Sequence, residues 1–150
     1  MRAEQADDLT YLIQLAKLQK FKAQYGALVD QVVVRPDPDL LLRLARMFTT
    51  DAILDFGARL GRYEGHAGVA RLFGEILPKS RIWVWHSFHS PIIDIDGDRA
   101  SGQWTLLAYA ISSGNAAAAP ERIVGRYADE YVRVDGTWLQ NRLEFTIEPR

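Results

Sequence analysis

Asp96-Gly97-Asp98 and Asp135-Gly136 each separate two long runs rich in β-branched and aromatic residues. Asp-Gly tolerates the positive φ angles of a tight hairpin, so each pair predicts a turn between antiparallel neighbours. The flanking runs are residues 81–95, with a break at Pro91, then 99–111, 123–134 and 137–147. Residues 112–120 are small and polar and read as a loop. The second half of the chain is therefore expected to be a meander of long antiparallel strands.

The first half follows a different period. Leu12, Leu15, Leu18, Phe21, Tyr25, Leu28 and Val32 recur at three- and four-residue steps, which predicts one apolar stripe on a helix over residues 9–31. Lys17, Lys20, Lys22 and Gln24 are assigned to its polar side, and Asp7 or Asp8 to its N-cap. The helix must stop before Arg35-Pro36-Asp37-Pro38, because proline disfavours helix in the residue preceding it. A second helix is expected over 39–48, ended by Thr49-Thr50-Asp51. A short strand follows over 52–56, then a glycine-punctuated loop or hairpin, then a third helix over 67–77 closed by Pro78. Helices followed by long strands predict one α+β domain over residues 1–150, with the helices on one face of the sheet.

Composition narrows the function classes. The chain has 150 residues, a net charge of −1 and no cysteine. There is no basic excess to attract a nucleic acid, and no disulfide framework or thiolate chemistry. No apolar run approaches the ~20 residues that span a bilayer, and the polar start lacks the pattern of a signal peptide. These features predict a cytoplasmic protein with neither nucleic acid nor membrane as partner. The three histidines do not form a metal site by spacing, and phosphate-loop and dinucleotide fingerprints are absent.

Several segments together resemble a known group. They are Tyr25-x4-Asp30, the run Phe48-Thr-Thr-Asp51-Ala-Ile-Leu-Asp55-Phe56-Gly57, and Gly65-His66-Ala-Gly-Val. To these add His86-x4-Pro91-x-Ile93-x-Ile95-Asp96-Gly97-Asp98-x-Ala100 and Tyr127-x-Asp129-Glu130-Tyr131-x-Arg133-x-Asp135-Gly136-x-Trp138. In this order and spacing, over about residues 12–145, they resemble the SnoaL-like branch of the nuclear transport factor 2-like superfamily, with scytalone dehydratase and hexachlorocyclohexane dehydrochlorinase as relatives. The resemblance implies a cone-shaped barrel of curved antiparallel sheet, with the N-terminal helices packed on it around a pocket for a small hydrophobic or aromatic ligand. It also implies a homo-oligomer, trimer or dimer. The segment from Gln31 to Asp39 is longer than the usual connection.

The enzymes of this branch share a His-Asp pair, in which the imidazole takes a proton from carbon and the carboxylate orients the ring. The matching residues are His86 and Asp30; the bland alternative is a solvated helix-end carboxylate and an ordinary strand histidine. The resemblance implies no cofactor. Phe56 stands where scytalone dehydratase has a tyrosine, Val29 likewise lacks a tyrosine hydroxyl, and Tyr25 falls where the dehydrochlorinase has a catalytic lysine. Arg142 is similar to that enzyme's pocket arginine, or is a surface residue of a hairpin strand. Asp129 shares a strand face with Tyr127 and Tyr131 by the two-residue period, and is either a pocket acid or structural. Trp104, Leu106, Tyr127 and Phe145 are expected to line the pocket. The expected reaction is elimination of water from a small cyclic or aromatic carbonyl compound. The alternatives are a ring isomerase or polyketide-cyclase-like enzyme, and a domain that binds a small molecule without turning it over.

Overall fold

A computed structural model describes residues 2–148, with side chains from residue 7 onward. Helix α1 spans Arg2–Val34, about 50 Å at 1.5 Å per residue. It begins well before the expected start, so Asp7 and Asp8 lie inside it rather than capping it. Leu9, Leu12 and Ile13 are exposed, because this end of the helix runs past the sheet. The buried stripe starts at Leu18. No helix among the described residues is long and apolar enough to cross a membrane.

Helix α2 covers Pro38–Ala45, with Asp37 as its N-cap accepting from the Asp39 amide at 2.9 Å. It ends before Phe48, which opens strand β1, Phe48–Asp55. The segment Thr49-Thr50-Asp51, expected to end a helix, is therefore strand. A one-turn helix α3 (Gly57–Leu60) and strand β2 (Arg62–Glu64) follow. Residues 65–80 form one helical stretch: α4 (Gly65–Arg71), a π-helical turn (Leu72–Ile76) and α5 (Leu77–Ser80). Pro78 does not close this stretch. It sits in the first turn of α5, directly after the π-helical turn.

The meander is as expected: β3 (Arg81–Asp96), β4 (Arg99–Ser112), β5 (Glu121–Val134) and β6 (Thr137–Ile147). Both Asp-Gly pairs are hairpin tips, with φ of +58° at Gly97, +49° at Asp135 and +78° at Gly136. Strand β3 runs through Pro91 by a bulge between His89 and Ile92, with Ser90 at φ +51°. The sheet order is β2-β1-β6-β5-β4-β3. All neighbours are antiparallel except β1 and β6, which pair in parallel. The sheet curves but does not close by strand pairing. Helix α1 completes the cone by lying across the inner face, in closest association with β3.

Gly26 sets how near α1 comes. A Cβ built there would stand 2.9 Å from the Phe88 ring and 3.6 Å from His86 Cβ, so only glycine lets the helix backbone settle on β3 at this point. Gly65 answers a different demand. Its φ is +62°, and a Cβ would meet the Thr50 carbonyl oxygen at 2.6 Å. Gly65→Ala is expected to destabilise the fold by about 1–3 kcal/mol, read as a lower urea midpoint; an unchanged midpoint would contradict this packing of α4 on β1.

Candidate functional site

Asp30 lies near the end of α1 and His86 on the inner face of β3, 56 residues apart in sequence. The structure brings them together. Asp30 Oδ1 is 2.6 Å from His86 Nδ1, and Asp30 Oδ2 accepts the His86 backbone N–H at 3.2 Å. One carboxylate thus grips the histidine by both ring and main chain. With Nδ1–H donating to Asp30, the ring's acceptor nitrogen is Nε2, and Nε2 has no hydrogen-bond partner among the described residues. The ring stacks near-parallel on Phe88, with centroids 5.9 Å apart. Both side chains are largely buried, 14% exposed for His86 and 22% for Asp30.

His86 borders a cavity of about 110 Å³ between α1, the helical stretch 65–80 and the inner sheet face. Its walls are mainly apolar: Val29, Val33, Phe56, Phe73, Val84, Leu106, Ala108 and Phe145. Tyr25 and Tyr127 add two phenols hydrogen-bonded to one another. Burial pushes both hydroxyls well above the ordinary tyrosine range, so they remain protonated; Tyr25 donates to Tyr127, which leaves the Tyr127 O–H as the donor open to a ligand. No carboxylate lines this cavity.

Of the residues expected at the pocket, Tyr25, Phe56, Leu106, Tyr127 and Phe145 line it. Trp104 does not. Its indole N–H donates to the Tyr131 hydroxyl at 3.2 Å, and it lines a separate groove beside α1, which Asp30 and His86 also border. Arg142 is placed outside the cavity, 3.5 Å from Glu144. The cause is a bulge in β6: Glu130 pairs with Arg142 while Tyr131 pairs with Gln140. Asn141 is the extra residue, and it reverses the alternation, turning Arg142 outward and Leu143 and Phe145 inward. On a regular strand Arg142 and Phe145 could not share a face.

Asp129 is buried but does not line the cavity. It is bonded to Lys22, the residue that the sequence reading put on the polar side of α1. Lys22 is fully buried, with Nζ 2.6 Å from Asp129 Oδ2. The ammonium also sits 3.9 Å from the Tyr127 ring centre, 4.6 Å from that of Phe88 and 4.7 Å from that of Tyr25. Tyr131 donates to the same carboxylate oxygen at 2.8 Å. Burial pulls Lys22 below its ordinary range and pushes Asp129 above its own, while their mutual attraction opposes both shifts. The signal for Lys22 was present: Leu18, Lys22, Tyr25 and Val29 fall at steps of four, three and four, on one helix face.

Comparison with known proteins identifies the family and the fold. Residues 10–144 match the SnoaL-like domain model, and the chain belongs to that family. No curated protein matches the sequence significantly. Among solved structures, a Novosphingobium aromaticivorans protein provisionally named a scytalone dehydratase is 19% identical with a TM-score of 0.78, covering 93% of this chain and 87% of that one. The LinA-type3 hexachlorocyclohexane dehydrochlorinase from Novosphingobium barchaimii is 21% identical with a TM-score of 0.80, covering 95% and 91%. Rv3472 from Mycobacterium tuberculosis, a protein of unknown function, is 15% identical with a TM-score of 0.76, covering 94% and 75%. At these identities the likeness establishes the nuclear transport factor 2-like fold.

Two outcomes are expected from the buried groups. Lys22→Met leaves the Asp129 carboxylate without its counter-charge and should cost about 3–5 kcal/mol. The double variant Lys22→Met/Asp129→Asn should recover much of that loss in a denaturant titration, and a double variant no more stable than the single would contradict the pair. The second concerns pH. A phenol whose folded pKa is raised adds stability below the ordinary tyrosine value of 10.0, and this is lost as pH rises beyond it. Tyr25, Tyr127 and Tyr131 should therefore ionise together with alkaline unfolding, seen as a tyrosinate absorbance step coincident with loss of circular dichroism.

Proposed function

We propose that this SnoaL-like chain is a cofactor-independent lyase of the dehydratase kind, acting on a small cyclic or aromatic carbonyl compound. The observation that carries the reading is the 2.6 Å contact between Asp30 and the His86 ring beside an apolar cavity. A neutral imidazole fixed in one tautomer presents Nε2 as a base. Nε2 takes the proton from the carbon next to the substrate carbonyl. The electron pair of that C–H bond forms the new C=C as the β-carbon releases its hydroxyl. The imidazolium returns the proton to the departing oxygen, so water leaves and His86 is restored. Asp30 stabilises the transient imidazolium. Tyr127, kept protonated by burial and itself accepting from Tyr25, donates to the carbonyl oxygen as it gains charge.

Ring isomerisation is the second reading, favoured by one feature. With no carboxylate in the cavity, the carrier that removes the proton must also return it, and return to a second carbon is isomerisation. The outward Trp83, Trp85 and Ile92 support assembly as a homo-oligomer, and the lack of cysteine is consistent with a cytoplasmic setting.

The test is turnover of cyclic β-hydroxyketones, followed by the ultraviolet absorbance of the conjugated product. His86→Ala is expected to lower the rate by about 10²–10⁴-fold. Asp30→Asn offers the ring a poorer acceptor and should lower kcat more than it changes KM. Unchanged turnover in His86→Ala would defeat the mechanism and leave a binding domain.

A further inference from the structure

Arg59 lines the mouth of the cavity, on the short helix α3 that follows Phe56. It also lines a second, outer groove of about 480 Å³ with Glu121, Arg122, Val124 and Glu148. Arg59, Ile123 and Ile147 border both spaces, so the cavity and the outer groove adjoin at these side chains.

Among the described residues, the cations in and beside this groove outnumber the carboxylates. Glu121 lies 3.5 Å from Arg81, and Glu148 is bonded to Arg126 at 2.7 Å. Both carboxylates of the groove therefore have a cation of their own. Arg59 and Arg122 have no carboxylate partner among the described residues. The cavity around His86 is mainly apolar and aromatic, and the adjoining groove carries two guanidiniums, Arg59 and Arg122, that no salt bridge joins to a carboxylate among the described residues. A guanidinium offers a planar fork of donors suited to a carboxylate.

Resting on the reading that this cavity takes the substrate, we propose that the substrate is an apolar ring compound bearing an anionic, carboxylate-like substituent, held by Arg59 at the cavity mouth with Arg122 beyond it. The ring enters past Phe56 toward His86, and the anionic end stays in the outer groove. Arg59 is then a specificity-determining residue that selects acids over their neutral counterparts. This selection is an affinity effect, separate from proton transfer at the dyad.

The experiment compares binding of 5-phenylpentanoate and 5-phenylpentan-1-ol to the full chain by isothermal titration calorimetry. The two share ring and chain and differ at the charged end. The acid is expected to bind roughly five- to tenfold more tightly, and to lose this advantage as salt screens the contact. Arg59→Gln should remove the preference while leaving alcohol binding as it was, and Arg59→Glu should reverse it. Both substitutions fall on an exposed residue, so the fold should persist, checked by circular dichroism. Equal affinity for the two compounds, no binding of either, or an acid preference that survives Arg59→Gln would overturn the proposal. The measurement is repeated on His86→Ala, which removes the base and keeps the mouth. A persisting acid preference beside a failed turnover test would sink the dyad mechanism alone; active turnover without acid preference would sink only this inference.

Discussion

The Lys22–Asp129 ion pair determines where helix α1 sits, and the site depends on that position. It joins residues 107 apart across the interface between helix and sheet, with both side chains fully buried. Sliding α1 by one turn, about 5.4 Å, would leave a buried ammonium and a buried carboxylate unpaired, a cost that apolar contacts cannot offset. Asp30 follows Lys22 by eight residues, about 12 Å along the axis. The pair that fixes Lys22 over β5 thus delivers Asp30 to β3, where Gly26 lets the helix approach. Buried ion pairs are weak sources of net stability and better suited to specifying register, which is the role that this one fits.

The same arrangement separates two electrostatic environments. The charges of Lys22 and Asp129 are enclosed behind Tyr25, Phe88 and Tyr127, so none of them opens into the cavity. The cavity itself meets an imidazole, two protonated phenols, the guanidiniums of Arg59 and Arg81 and otherwise mainly apolar walls. A developing negative charge there has the Tyr127 hydroxyl to accept it, and the weakly polar surroundings strengthen that contact.

Much of the fold was legible because it rests on local chemistry. Asp-Gly requires positive φ, so the two hairpins and the four long strands could be read from the sequence. The stripe from Leu18 to Val32 marked the buried face of α1, but nothing local showed that the helix outruns the sheet by two or three turns. The meeting of His86 with Asp30 was inferred from spacing shared with a family rather than from local chemistry. Lys22 escaped because a lone lysine on a helix is most often solvated, and its partner Asp129 lies too far along the chain for any local pattern to join them. The sequence leaves Arg142 open between pocket and surface because a single extra residue in β6 inverts every later side chain, and Asn141 carries no turn or glycine signal that would announce a bulge. The parallel pairing of β1 with β6 is likewise a long-range outcome that no hairpin pattern records.

Nitrogen-15 NMR of the His86 ring tests the central claim most directly, since the account requires Asp30 to hold the neutral imidazole in one tautomer. The expected result is a ring protonated at Nδ1 and bare at Nε2 in the wild-type protein, with that preference lost in Asp30→Ala. A ring protonated at Nε2, or a tautomer indifferent to the loss of Asp30, would contradict the account.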